Sequence, residues 1–264
     1  MSVLEKIVGN VRCRLEDRKR SLPESALRDQ AASAPAAPSF RAAIAAAGTS
    51  LIAEAKRRSP SRPDGFGQTG YDPAGLAGRY ERAGARAMSV LTEPDFFGGA
   101  GEHLQAARAV CGLPLLRKDF VVDPYQGWEA KAWGASAALL IVAALDDAEL
   151  ADLHAVLSGL GLDALVEVHT EAEAERALRL GDVILGVNNR NLTTFETDRA
   201  TTARIAATLP AGTLVVAESG ISTRTHVEEV ERAGAAAVLV GEAIVGASDP
   251  EAKVRELIGE GGRS

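Results

Sequence analysis

A chain of 264 residues, 46% hydrophobic and 25% charged, has the composition of a globular protein long enough for one large core. No apolar run reaches membrane-spanning length and no signal-peptide core opens the chain, so the expectation is a cytoplasmic protein with no membrane partner. The net charge of −7 argues against nucleic acid, Cys13 and Cys111 are too few for a disulfide framework, and the scattered His103, His154, His169 and His226 read as solvated, with no metal site.

The first stretch, to about Gly48, stands apart from the rest. Val3, Leu4, Ile7, Val8, Val11 and Leu15 fall at helical spacing and predict a helix over roughly Val3–Arg20. The Ala/Pro-rich segment Gln30–Ser39 reads as a connection, followed by a short helix Phe40–Ala47. Such an amphipathic helix packs against the remainder of the chain, either as a structural cap or over a binding rim.

From Ser50 onward, apolar runs alternate with helical segments. The runs are Ser50–Ala53, Ala87–Leu91, Leu113–Leu116, Ala137–Val142, Ala164–Val168, Val183–Val187, Thr213–Ala217 and Ala236–Val240. Helical spacing covers Ala74–Ala83, Leu104–Val110, Asp147–Leu157, Glu171–Leu180, Arg199–Leu209 and Thr223–Arg232. Gly84, Gly181 and Gly234 sit where a left-handed helix stop is needed. Alternation of this kind implies parallel strands with right-handed crossovers. Eight units predict a (β/α)8 TIM barrel, and no Gly-x-Gly-x-x-Gly opens the first helix to favour a doubly wound sheet. The chain reads as a single domain over 1–264, of which about 1–48 is an N-terminal helical extension.

Nearly every strand ends in a polar group: Glu54 and Lys56, Thr92 and Glu93, Lys118, Glu167, Asn188 with Arg190, Glu218 with Ser219, and Gly241 with Glu242. Barrel active sites are assembled from these ends. Glu54 and Lys56 share one side of a strand, a carboxylate and an ammonium placed for acid–base work. Lys56, Arg57, Arg58, Arg117, Lys118 and Arg190 supply local positive charge for a small anionic ligand. The turns Glu218-Ser219-Gly220-Ile221 and Val240-Gly241-Glu242-Ala243 follow the last two strands, where barrels often bind phosphate through backbone N–H groups.

The motifs Ile52-Ala53-Glu54-Ala55-Lys56-Arg57-Arg58-Ser59-Pro60-Ser61, Leu115-Leu116-Arg117-Lys118-Asp119-Phe120, Leu165-Val166-Glu167-Val168-His169, Gly186-Val187-Asn188-Asn189-Arg190-Asn191-Leu192 and Ala217-Glu218-Ser219-Gly220-Ile221 stand in the order found in the indole-3-glycerol-phosphate synthase family. Ser89-Val90-Leu91-Thr92-Glu93 with Phe96-Phe97-Gly98-Gly99, and Val240-Gly241-Glu242-Ala243, complete a resemblance that runs from the N-terminal helix to about Pro250. It implies a cofactor-free enzyme of tryptophan biosynthesis, a carboxy-lyase that converts 1-(o-carboxyphenylamino)-1-deoxyribulose 5-phosphate to indole-3-glycerol phosphate, carbon dioxide and water. On this resemblance Lys118 is the general acid at the ribulose carbonyl. Glu167 and Glu54 serve the dehydration, Lys56 pairs with Glu54 and the substrate carboxylate, and Asn188 and Glu218 orient sugar hydroxyls and lysines. Ser59, Ser219, Gly220 and Gly241 meet the phosphate or its turn. Phe97, Phe120, Leu192 and Ile221 wall the anthranilate ring, and Arg190 and Glu242 complete the substrate contacts.

Two segments depart from the family's pattern: the Gly-rich loop over 62–73, expected to be more mobile, and Ile244-Val245-Gly246-Ala247. Phosphoribosylanthranilate isomerase, a neighbouring barrel enzyme, would carry a Cys at the first strand end and an Asp at the sixth, where this chain has Glu54 with Lys56, and Asn188. A second alternative is a paralogue that binds a sugar phosphate without catalysis or serves a specialised pathway. Lys118, Glu167, Glu54 and Lys56 together favour the enzyme. Charged helical faces without a leftover apolar stripe predict a monomer.

Overall fold

The computed structural model describes residues 2–66, 70–191, 194 and 196–259. Eight parallel strands close into a barrel in chain order, β1 (Ser50–Ala55), β2 (Ala87–Leu91), β3 (Leu115–Lys118), β4 (Ala137–Ile141), β5 (Asp163–Val168), β6 (Ile184–Asn188), β7 (Leu214–Glu218) and β8 (Ala237–Val240). The extension contributes α1 (Val3–Ser21), α2 (Glu24–Ser33) and α3 (Phe40–Ile44). The outer layer then runs α4 (Pro73–Arg82), α5 (Pro94–Phe97), α6 (Gly101–Arg108), α7 (Pro124–Ala132), α8 (Asp147–Gly159), α9 (Glu171–Leu178), α10 (Ala200–Ala206), α11 (Arg224–Arg232), α12 (Glu242–Val245) and α13 (Pro250–Ile258).

The (β/α)8 barrel and its N-terminal helices are as the sequence predicts, with instructive shifts at the edges. Strands β1, β3, β6 and β7 extend past the apolar runs read from the sequence, because the ladder continues through the polar ends: Asn188 pairs with Glu218, Leu91 with Lys118, and Glu54 with Ser89. The third strand begins after Pro114, not at Leu113, since proline has no N–H to give the ladder. Helix α2 occupies the start of the segment read as a connection; its alanines favour helix, and the chain leaves the helix at Ala34, just before Pro35.

Side-chain alternation divides the buried residues in two. Ile52, Leu116, Leu165, Val216 and Leu239 point into the barrel, where Phe40 and Ile44 of α3 join their cluster. Their neighbours Ala53, Val166, Val168, Ala217 and Val240 point outward and pack under the helices. A third cluster of Leu15, Leu27 and Tyr125 fixes α1 and α2 to α7, and Tyr125 Oη donates to the Leu22 carbonyl at 2.8 Å. This anchors the extension against the barrel wall.

Candidate active site

The parity that fills the barrel also builds its mouth. Glu54 follows Ile52 by two residues, Lys118 follows Leu116, Glu167 follows Leu165 and Glu218 follows Val216, so each polar side chain lies one inward layer above an interior apolar one. With Lys56 and Asn188 they line one cavity of about 440 Å³ at the C-terminal ends of the strands. Gly186 and Gly241 leave the room this requires. A Cβ at 186 would fall on Glu218 Oε1, and one at 241 on Glu54 Oε1, 3.0 Å from Glu54 Cδ and 3.1 Å from Lys56 Nζ.

Lys118 is the hub. Its ammonium lies 2.8 Å from Glu167 and 3.0 Å from Glu218. Burial alone would lower its pKa, but Glu167, Glu218 and Glu54 outweigh burial and hold it raised, so Lys118 is cationic at neutral pH. The same contest splits the two carboxylates. Burial raises both, yet Lys118 and His169 hold Glu167 well below the ordinary carboxylate range, while burial with Glu167 and Glu54 nearby pushes Glu218 up to about 7. Glu218 Oε1 is buried without a hydrogen-bond partner, and an oxygen with neither water nor a donor disfavours the charged carboxylate, in line with that upward shift. Asn188 Nδ2 donates to Glu167 Oε1 at 3.2 Å, and Asn188 Oδ1 accepts from the Arg190 backbone N–H at 3.0 Å.

A second ionic group lies beside the first. Lys56 Nζ is 3.0 Å from Glu54 and 3.8 Å from Glu242, and Arg190 Nη2 donates to Glu242 at 3.2 Å. The Glu242 carboxylate therefore offsets two cations, and only its backbone is suited to meet an anion. Ser59 Oγ lies 3.0 Å from Ser61 Oγ, and Arg190 Nη1 donates to Ser61 at 3.3 Å. Ser219 and Gly220 both take left-handed backbone, with φ 64° and 75°; Asn189 braces this turn, its Nδ2 donating to the Ser219 carbonyl at 3.2 Å. A non-glycine residue held there stores strain that its surroundings must offset.

The apolar wall is formed by Phe97 and Phe120, whose rings tilt at 38° with centroids 6.1 Å apart, and by Ile221. Leu192, expected in this wall, lies outside the described residues, as do 67–69 of the Gly-rich loop. Helix α1 serves both ends expected of it: Val3, Leu4 and Ile7 line the cavity, while Val11 and Leu15 are buried in packing.

Other polar strand ends are structural. Arg117 points outward, fully buried, with Asp119 at 2.8 Å, Glu129 at 3.0 Å and the Trp133 ring centroid at 4.4 Å. Glu93 caps α5 by accepting from the backbones of Asp95, Phe96 and Phe97, and Thr92 donates to Asp119 at 2.7 Å. Arg58 donates to the carbonyl of Asp95 at 2.8 Å, and neither it nor Arg57 lines the cavity. Conversely His169 is not solvated: Nε2 is 3.5 Å from Glu167, and Nδ1 is 3.2 Å from Glu173. The sequence carries a signal for it, since His169 shares the strand parity of Glu167 and precedes a glutamate by one helical turn.

The sequence profile of the indole-3-glycerol phosphate synthase family matches residues 4–257. An indole-3-glycerol phosphate synthase of Roseiflexus sp. (strain RS-1) is 48% identical over 98% of this chain and 98% of its own. The same enzyme of Streptomyces griseus subsp. griseus is 46% identical over 99% of this chain and 96% of its own. Among solved structures, a mutant tryptophan synthase alpha-subunit from Pyrococcus furiosus aligns with a TM-score of 0.60 at 16% identity, covering 80% of this chain and 98% of that one. Orotidine 5'-phosphate decarboxylase from Pyrococcus horikoshii OT3 aligns with a TM-score of 0.61 at 14% identity, over 80% of this chain and 98% of its own. At those identities the structural likeness carries the fold alone. The profile and the near-full-length relatives carry more: this chain belongs to the indole-3-glycerol phosphate synthase family.

Proposed function

We propose that the chain performs the reaction of its family, closing the pyrrole ring of 1-(o-carboxyphenylamino)-1-deoxyribulose 5-phosphate with loss of carbon dioxide and water. The observation that carries this reading is Lys118, held cationic between Glu167 and Glu218 at the floor of a cavity that also presents a second ammonium, Lys56. Ring closure needs a proton donor at the ketone oxygen as the aromatic carbon attacks; a charged lysine in a poorly hydrated mouth is suited to that step.

Dehydration then needs a base for the methylene next to nitrogen and an acid for the departing hydroxyl. Glu167, kept ionised by Lys118, is the base; Glu54 stands as the other carboxylate of this step, paired with Lys56. Glu218, pushed up to about 7, exchanges a proton near neutrality and is a second group beside Lys118 able to carry one. Lys56 and Arg190, each already facing Glu242, are placed for the substrate carboxylate, and Asn188 for a sugar hydroxyl. Hydroxyls of Ser59 and Ser61 and the backbone at Ser219, Gly220 and Gly241 offer donors to the phosphate. Phe97, Phe120 and Ile221 enclose the ring.

A monomer in the cytoplasm, without a cofactor, completes the proposal. Among the described residues Val110 is the one exposed large hydrophobic, and no helix is long and apolar enough to cross a membrane. The test is direct: purified protein is given the anilino-deoxyribulose phosphate, and indole fluorescence is followed. Appearance of indole-glycerol product supports the enzyme; binding without fluorescence gain points to the non-catalytic paralogue.

A further inference from the structure

The ring-closing reaction has a proton balance that the residues assigned to it do not close. The bond from the ring carbon to the carboxylate breaks, its electron pair restores the aromatic ring, and carbon dioxide leaves without a proton. The new carbon–carbon bond turns the ketone oxygen into a hydroxyl, which takes up one proton. Its departure as water takes a second, and the methylene carbon returns one. Each turnover thus consumes one proton, and buried donors must be recharged before the next.

A line of titratable groups leads away from the cavity behind Glu167. Lys118 Nζ is 2.8 Å from Glu167 Oε2, Glu167 Oε1 is 3.5 Å from His169 Nε2, and His169 Nδ1 is 3.2 Å from Glu173 Oε2. Lys118, which faces the cavity, is 13% exposed; behind it side-chain exposure rises from 3% at Glu167 through 11% at His169 to 19% at Glu173. His169 does not line the cavity, so it stays clear of bound substrate. Its Nε2 is buried and has no hydrogen-bond partner, with Glu167 just beyond reach. Distances of that size commonly tighten only in the reacting complex.

The imidazole is also held in the orientation a relay needs. Glu173 Oε2 accepts the His169 backbone N–H at 2.7 Å, and the Glu173 backbone N–H donates to Thr170 Oγ1 at 3.2 Å in the first turn of α9. The carboxylate is thereby pinned against Nδ1, which leaves Nε2 turned to Glu167. The charged groups that act on the ring are Glu173 from α9, Glu167 from β5 and Glu218 from β7. Burial disfavours the imidazolium, but these three carboxylates outweigh it and raise the pKa above the ordinary 6.5.

We propose that Glu173 and His169 form a side entrance for protons, returning to Glu167, and through it to Lys118, the proton that each turnover consumes. His169 acts through Glu167 and is a positioning and relay residue, not a catalytic one. The inference rests on the ring-closing reaction, and wild-type enzyme assayed in parallel separates the two: no indole product from wild type sinks the reaction, whatever the variants do.

The test is His169→Gln, which keeps a polar side chain with an N–H to offer Glu173 but cannot pass a proton. With folding verified by circular dichroism, kcat should fall ~10-fold or more, toward the range typical of lost proton transfer, with KM little changed. The solvent deuterium isotope effect on kcat should rise as proton delivery becomes limiting. In His169→Ala, free imidazole added to the buffer should restore part of the lost rate. Glu173→Gln, which leaves the imidazole in place, should move the isotope effect the same way and keeps the proposal testable if the His169 variants do not fold. Wild-type kcat and isotope effect in a folded His169→Gln would overturn the relay. So would a loss of rate that imidazole does not restore and that leaves the isotope effect unmoved, the signature of a purely structural histidine.

Discussion

Replacing Gly241 with alanine adds a single methyl group where β8 comes closest to the Glu54–Lys56 pair. A Cβ there lands on Glu54 Oε1 and 3.0 Å from Glu54 Cδ. Carbons in contact prefer roughly 3.5–4.0 Å, so the carboxylate must retreat by roughly 0.5–1 Å. The backbone at 241 has φ −116°, which alanine tolerates, so the methyl group itself is the perturbation. Retreat of Glu54 breaks the 3.0 Å contact with Lys56. Misplacement of about 1 Å in a catalytic group can cost ~100-fold, so kcat should fall about 10- to 100-fold. Overpacking should also cost about 1–3 kcal/mol of stability, read as a lower Tm. Initial rates from indole fluorescence and a thermal melt measure both effects. Gly159→Ala is the control, since a Cβ there meets nothing within 4 Å and should leave kcat unchanged. A turn that serves only as a phosphate seat makes a different forecast, a raised KM with kcat intact. That result, or wild-type kinetics, would refute the argument that Gly241 exists to admit the Glu54–Lys56 pair.

Lys118→Met should lower turnover ~100-fold or more with a smaller change in KM; activity above about a tenth of wild type would rule out the general acid. Glu167→Gln should bind substrate yet stall after ring closure, seen by rapid quench as an accumulating intermediate, and near-normal turnover would remove Glu167 from the chemistry. Glu218 titrates at about 7 when folded against an ordinary 4.5, raised by burial first and by Glu167 and Glu54, so its contribution to stability is present below about 4.5 and lost as pH rises through about 7. Glu218→Gln escapes that loss and should gain on wild type by up to about 3 kcal/mol between about pH 5 and about pH 8; a Tm difference that does not vary with pH would contradict it.

The site is legible in the sequence to the extent that strand parity makes it so. Glu54, Lys118, Glu167 and Glu218 each stand two residues beyond an interior apolar side chain, and the apolar runs themselves display that alternation. Residue type alone misleads. It groups Arg117 with Lys118 as positive charge for the ligand, although adjacent residues of a strand face opposite sides. It makes Glu93 a functional strand end, although a glutamate before Pro94-Asp95 is placed to cap a helix. It leaves His169 among the solvated histidines, because its importance depends on Glu167 and Glu173 converging on one ring, a contact between strand end and helix that spacing suggests but only packing creates. Helix α2 is half hidden because Pro35 and Pro38 lend a loop-like composition to a segment whose first part is helical.

The outward-facing Arg117 acts as a register key for the strand that carries the general acid. Its guanidinium fits one fixed set of partners, Asp119, Glu129 and the Gln126 carbonyl, on the helix side of the sheet. If β3 slipped by one residue, this permanently charged group would enter the mouth and Lys118 would be forced under α7. Arginine cannot surrender a proton at neutral pH, so the slipped barrel would hold its positive charge and lose its acid. A well-packed apolar substitute for the Arg117 network could match or exceed its stability while discarding the information that tells Lys118 which way to face.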